Sequence, residues 1–314
     1  MNPLTGLYGG ATALRNTLFD RGVLRSRRLQ QPVVSVGNLS VGGTGKTPFV
    51  IALGELLKAR GIPFDVLSRG YGRKTRGVSV VDPEGRSADF GDEPLLIARK
   101  LRVPVIVGES RYDAGRVGEL NFQSQLHMLD DGFQHRSLAR DFDIVLMTER
   151  DFDDRLLPLG RLREPLSSLA RADAIVLPAG PAVNHPALQQ KLLWRIEREL
   201  VLPNLPASPV VFCGIARPKQ FFAQVRAAGI TPAAEVVFSD HHAYDRDDVQ
   251  ALIHARRDLR AGGFLTTEKD AINLASKQDE LEPLVVAELK LSLDHPAAFV
   301  DAILARIPDR TPRS

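Results

Sequence analysis

VVSVGNLSVGGTGKTP, residues 33–48, is the stretch whose reading decides the fold of this chain. An alternating apolar run enters a glycine-rich turn, and an apolar helical pattern over 49–57 follows. Strand, glycine-rich loop and helix in that order are the parts of a phosphate-binding P-loop. Ser40, Val41, Gly42, Gly43, Thr44, Gly45, Lys46 and Thr47 form the expected ATP cradle. Glycines let backbone N–H groups turn inward toward phosphate oxygens. Lys46 supplies a cation for the β- and γ-phosphates, and the Thr47 hydroxyl can ligate Mg2+. The helix N-terminus adds its partial positive charge. One departure stands out: the strict motif has glycine six residues before the lysine, and Ser40 is there instead.

Working outward, short runs rich in Val, Ile and Leu recur at 64–68, 103–107, 126–129, 143–147 and 174–177, with helical patterns between them. Continuous apolar runs of this length suit strands buried on both faces. The alternation predicts an α/β fold: a P-loop NTPase-type, mostly parallel sheet with helices on both faces. A helix is expected over 186–202. Three prolines in seven positions at 203–209 then read as a hinge. After it the pattern restarts, with strands at 210–213, 235–238 and 263–266 and helices at 218–228 and 245–257. The expected organisation is an N-terminal arm (1–30), a P-loop core (31–202), the hinge, and a smaller α/β domain (210–314). The tail at 309–314 is expected to fray.

Of 314 residues, 44% are hydrophobic and 25% charged, so a substantial core is within reach. The lone cysteine, Cys213, excludes an internal disulfide and fits a reducing compartment. No apolar run approaches the ~20 residues of a spanning helix, and residues 1–32 lack the apolar core and cleavage site of a signal peptide. Five arginines against Asp20 give residues 1–32 a balance of +4, leaving about −1 for the rest. Within that arm Leu4, Leu7, Tyr8, Ala11, Leu14, Leu18 and Phe19 recur at helical spacing. Such a helix can lie in the headgroup region of a membrane, or pack on its own domain. With basic residues concentrated in the arm and few aromatics for stacking, nucleic acid is not an expected partner.

Four groups carry possible chemistry. Asp130 and Asp131 end an apolar run containing His127, where a metal-associated carboxylate belongs; either can hold Mg2+. Asp92, in Gly91-Asp92-Glu93-Pro94, is either a helix N-cap or a general base for a hydroxyl proton. Asp240-His241-His242 with Tyr244 can be a metal site, a histidine that orients a carboxylate across a cleft, or a helix start capped by Asp240. Arginine-bearing segments around Arg69 and Tyr71, Gln134 and His135, and Arg163 suit phosphate recognition.

In order along the chain, VGNLSVGGTGKTP, SRGYGR, GDEP, LDDGFQHRSLARDFDIVL, LLPLGRLREP, FCGIARPKQFF, FSDHHAY and TTEKDA closely resemble the tetraacyldisaccharide 4'-kinase family, the lipid A 4'-kinases of Gram-negative bacteria. The resemblance spans nearly the whole chain, and Ser40 in the loop is usual for that family. It implies transfer of the ATP γ-phosphate to the 4'-hydroxyl of a tetraacyldisaccharide 1-phosphate, giving lipid IVA, with ATP and Mg2+ required and no protein partner. It also implies work at the cytoplasmic face of the bacterial inner membrane, held there through the arm. By that likeness Asp92 is the base paired with His241, though His242 is adjacent. Thr47, Asp130 and Asp131 serve the metal, and Arg69, Tyr71, Glu93, Gln134, His135 and Arg163 line the substrate cleft. Two competing readings predict otherwise: a soluble small-metabolite kinase needs no lipid, and a nucleotide switch has no phosphoryl acceptor.

Overall fold

The computed structural model describes residues 3–203 and 205–307. Asn204 in the proline-rich stretch and the 309–314 tail lie outside the described residues. The first half runs α1 (Pro3–Asp20), β1 (Val33–Asn38), α2 (Lys46–Ala59), β2 (Phe64–Ser68), β3 (Ser79–Val80), α3 (Ser87–Phe90), α4 (Asp92–Leu101), β4 (Val105–Val107), α5 (Arg111–Asn121), β5 (Leu126–Asp130), β6 (Phe142–Leu146), β7 (Ala174–Pro178) and β8 (Leu192–Val201). The second half adds β9 (Val210–Cys213), α6 (Pro218–Ala227), β10 (Ala234–Val237), α7 (Arg246–Asp258), β11 (Phe264–Thr267), α8 (Glu268–Leu274), β12 (Leu284–Leu293) and α9 (Pro296–Leu304).

The strands form one sheet in the order β10-β9-β11-β12-β8-β7-β6-β1-β5-β2-β4-β3. Every neighbouring pair is parallel except β3/β4 and β8/β12. The mostly parallel α/β sheet expected from the sequence is present. Strands β1, β2, β4, β5 and β6 are buried at every position, as their unbroken apolar runs require. Among the polar residues these strands bury, His127 is offset by charge: its Nδ1 lies 2.7 Å from Asp65 and its Nε2 3.7 Å from Glu119. Burial pushes the imidazole down, but the Asp65 hydrogen bond and the nearby Glu119 carboxylate outweigh it and carry it up to about 9.

The helix expected over 186–202 is not there. Pro186–Leu188 is a single 3-10 turn, and 192–201 is the strand β8. Burial along β8 reveals its period of two: Ile196 is buried while Leu193, Glu197 and Glu199 are exposed. A run of Leu, Arg and Glu favours helix in isolation, but ladders to β7 on one side and β12 on the other override that preference.

Strand β12 joins the halves. Residues 284–287 pair with β11 and 288–293 pair with β8. The chain then returns to the first half, where α9 packs on α2. Phe299 is fully buried, edge-on to Phe49 at 6.0 Å and to Trp194 at 5.0 Å. Two passages of chain therefore connect the halves, the proline-rich 203–209 stretch and β12.

Candidate active site

A cleft of about 820 Å³ lies between the halves, lined by the loops after β1, β2, β5, β9 and β11. Ligands of open α/β sheets bind at such carboxyl ends. All eight predicted cradle residues from Ser40 to Thr47 line it. Gly45 caps α2 at φ 86°, a left-handed conformation that glycine adopts without a Cβ penalty. Ser40 has no such requirement. It is buried in a bridge with Leu162, and the Val41 N–H donates to the Arg161 carbonyl at 2.8 Å. The mouth of the loop is thus stitched down where the strict motif keeps a glycine.

Asn38, the last residue of β1, organises the loop from beneath. Its Nδ2 donates to the Ser40 carbonyl at 2.7 Å and to the Thr44 hydroxyl at 2.8 Å. Its Oδ1 accepts from Lys46 Nζ at 3.2 Å and from Arg163, while its carbonyl accepts from Gln134 at 3.0 Å. Sequence reading passed over Asn38 because an asparagine at a strand end is an ordinary turn residue.

Asp130 and Asp131 are adjacent but chemically opposite. Asp131 turns at φ 49° and takes a two-pronged ion pair from Arg163, at 2.9 and 3.0 Å, with Lys46 at 3.5 Å. Desolvation opposes its charge, but Lys46 and Arg163 hold the carboxyl well below the usual range. In Asp130, Oδ2 accepts from Ser68 at 3.1 Å, while Oδ1 is buried without a hydrogen-bond partner. Burial, with Glu93 and Asp131 nearby, pushes its carboxyl up to about 7. Such an oxygen, in a cleft that Thr47 also lines, suits a hard divalent cation that keeps most of its waters. The donor set therefore fits Mg2+, although no cluster of three or more His, Cys, Asp or Glu able to hold a metal occurs among the described residues.

The facing wall is built from both halves. Asp92 begins α4. Gly91 before it has φ 92°, and a Cβ there would meet the Tyr71 carbonyl at 2.8 Å. Glycine thus lets the helix start press against the SRGYG loop. The Asp92 Oδ1 accepts from the Glu93 N–H at 2.9 Å, and Oδ2 lies 2.8 Å from His241 Nδ1. Asn273 at 3.4 Å and Lys269 Nζ at 3.7 Å complete its surroundings. Burial pushes the Asp92 carboxyl up, but the His241 hydrogen bond and the Lys269 charge overcome it and hold it below the ordinary range. The same hydrogen bond raises His241. Asp92 is only 4% exposed, so it is His241, held at φ 58°, that presents the pair to the cleft. A non-glycine residue in that conformation is held there by its surroundings.

The adjacent histidine turns elsewhere. His242 sits 2.8 Å from Asp248 and stacks on Phe238. The Tyr244 hydroxyl donates to Asp270 at 2.8 Å. The cap of α7 is Asp245, in a reciprocal box with Asp248, rather than Asp240. His241, His242 and Tyr244 thus point to three different carboxylates, with Asp240 3.9 Å from His241 Nε2, and their density in sequence is not a metal site among the described residues.

Arg69, Tyr71, Glu93, Gln134, His135 and Arg163 all line the cleft. The Tyr71 ring lies 5.3 Å from that of His241. Glu93 Oε1 accepts from Lys269 at 3.1 Å. Burial, then the charges of Arg111, Arg140, Arg15 and Arg69, push His135 down to about 4. Lys269 and Asn273 went unread: the first stands in the quoted TTEKDA segment and the second just beyond it, and nothing local marks either as facing Asp92.

Helix α1 docks by its polar side. Tyr8 donates to the Arg163 carbonyl at 2.9 Å, Arg15 to the Gln134 carbonyl at 2.8 Å, and buried Asn16 to Glu164 at 2.7 Å. Leu4, Leu7 and Leu14 face outward, each at least 60% exposed. Of the two expectations for the arm, packing on its own domain is observed, and the packed helix leaves an apolar stripe outside. No helix among the described residues is long and apolar enough to cross a membrane.

Comparison with known proteins places this chain in context. The family model described as tetraacyldisaccharide-1-P 4'-kinase matches residues 1–308. The tetraacyldisaccharide 4'-kinase of Koribacter versatilis is 47% identical over 99% of both chains. That of Aeromonas salmonicida is 37% identical over 99% of this chain and 94% of its own. Among solved structures, LpxK from Aquifex aeolicus in complex with ATP superposes with a TM-score of 0.78 at 33% identity, covering 98% of each chain.

Proposed function

The chain belongs to the tetraacyldisaccharide-1-P 4'-kinase family, and from that premise we propose how its cleft works. It is an ATP-dependent kinase that phosphorylates the 4'-hydroxyl of tetraacyldisaccharide 1-phosphate, giving lipid IVA. The observation that carries the residue roles is the 2.8 Å contact of Asp92 and His241 on the wall facing the Lys46 loop.

The roles follow from the geometry. The backbone of residues 40–47 cradles the phosphates of ATP, and Lys46 turns its ammonium to the terminal ones. Asp131, clamped by Arg163, holds Lys46 in place rather than meeting a metal, because both its oxygens are already engaged. Asp130 and Thr47 would hold Mg2+, which when bound offsets the negative charge of the phosphates. The acceptor sugar enters from the side of Tyr71, Arg69 and His135. The Asp92–His241 pair acts as one base: imidazole faces the hydroxyl, and the carboxylate behind it orients the ring and stabilises its charge once the proton arrives. Closing the halves brings this base to the cradle and excludes water, which would otherwise take the phosphoryl group.

A tetraacylated acceptor is a bilayer component, and the outward stripe of α1 supports membrane contact at its basic arm. We place the enzyme peripherally on the cytoplasmic face of the inner membrane, without a required protein partner. Leu7→Glu with Leu14→Glu should release it from anionic vesicles in co-sedimentation. Full retention of the double variant would remove α1 as the anchor.

The deciding experiment is transfer of radiolabelled γ-phosphate from ATP to tetraacyldisaccharide 1-phosphate in detergent micelles. Labelled lipid should form with the wild type and vanish with Lys46→Ala. ATP hydrolysis without labelled lipid would leave a nucleotide switch instead.

A further inference from the structure

Two arginines stand at the P-loop, and the one acidic group felt by either, Asp151 near Arg217, makes no ion pair with it among the described residues. Arg198 reaches from β8, and its Nη2 donates to the Thr44 carbonyl at 2.6 Å. It lies so close to the loop that a Cβ on Gly45 would meet that nitrogen at 3.1 Å. Arg217 comes from the loop between β9 and α6, with its Cγ 3.9 Å from where a Cβ on Gly43 would stand. Neither makes a salt bridge among the described residues, and the Arg198 Nε and Arg217 Nη2 are buried without a hydrogen-bond partner. The other cations of the cradle differ in this respect, because Lys46 and Arg163 are both claimed by Asp131. Burial lowers Arg198, and the Arg217 charge lowers it further; burial and the Arg161 charge lower Arg217 against the pull of Asp151.

Two partly desolvated guanidinium groups beside a phosphate loop, each with a buried N–H group that has no acceptor, lack an anion. We propose that Arg198 and Arg217 grip the polyphosphate of the nucleoside triphosphate from the side opposite Lys46. This rests on the reading of residues 40–47 as the ATP cradle. Bridging oxygens give the unpartnered N–H groups their acceptors. Because Arg217 belongs to the second half and Arg198 to β8 of the first, the same contact couples triphosphate binding to the approach of the halves. The grip answers to the phosphate chain rather than to the nucleoside, so it discriminates ATP from AMP.

Calorimetric titration of the full chain with ATP and AMP, in Mg2+ and without lipid, tests this for Arg217→Gln, Arg198→Lys and Lys46→Gln. Arg217→Gln should weaken ATP binding about tenfold or more and leave AMP within about twofold. Arg198→Lys keeps the charge but loses the fork, and should fall between that variant and the wild type. Retained ATP affinity in both arginine variants, with loss in Lys46→Gln, overturns the proposal and spares the cradle. Retained affinity in all three overturns the cradle reading as well. Equal loss for ATP and AMP means a distorted loop and also overturns the grip. Unchanged nucleotide binding with a raised KM for the glycolipid assigns the arginines to the acceptor's phosphate instead.

Discussion

The two walls of the cleft are built in opposite ways. On the cradle wall, Lys46 meets Asn38 eight residues away and Arg163 meets Asp131 across 32. All four sit on adjacent strands or their loops within one half, even though Arg163 reaches Asn38 across 125 residues. On the facing wall, Asp92 meets His241 across 149 residues and Asn273 across 181. That wall exists only when the halves are together. The cradle is built within one half, whereas the Asp92–His241 pair is assembled at a seam that carries ion pairs of Lys269 to Glu93 and of Lys100 to Glu268 and Glu288 beside the apolar packing of Ile272. On the proposed roles, that division ties the base to the closed arrangement of the halves.

If the walls are independent in this way, damage to one should leave the other's task intact. The largest effect is expected from Asp92→Ala. Turnover should fall on the order of 10²- to 10⁴-fold, the range for loss of general base catalysis. ATP affinity should stay within about twofold, since the changed site is distant from the cradle. Single-turnover kinetics beside nucleotide titration checks both. Near-wild-type turnover would remove Asp92 from the base, and a parallel loss of ATP binding would erase the contrast between walls.

A smaller effect separates the two members of the pair. The hydrogen bond to Asp92 raises His241, and the bond from His241 helps to lower Asp92. Their mutual attraction is therefore complete between those two displaced values. It is lost as pH rises through the raised value of His241, and again as pH falls through the depressed value of Asp92. Turnover, by contrast, needs the pair one proton short, so its acid limb should follow the raised histidine, falling about tenfold per pH unit below it. In Asp92→Asn the chief cause of that raising is gone, so the residual activity should show its acid limb at lower pH. A limb that stays in place would mean that another group titrates.

Much of the cradle was legible in one dimension. Glycines that permit a tight turn, a lysine and threonine at a helix start, and an apolar strand before them are local requirements, met by neighbours in sequence. The buried parallel strands were legible for the same reason, because burial on both faces leaves an unbroken apolar run. The residues of β8 were misread, since Leu, Arg and Glu carry a helical preference that only the ladders to β7 and β12 overrule. That one misreading also hid Arg198. His241 and His242 are equivalent in sequence. The backbone turn at φ 58° separates them, sending one to Asp92 and the other to Asp248. Asp130 and Asp131 are likewise a pair in sequence, made unlike by Arg163 and Lys46 taking one of them. By itself the sequence determined the kind of sheet, the phosphate loop and the family, all written in local patterns and their order. Which carboxylate is left open to a cation, which histidine faces the cleft and which arginines stand unpaired were decided by the tertiary structure alone, because each depends on partners that only folding brings within hydrogen-bond range.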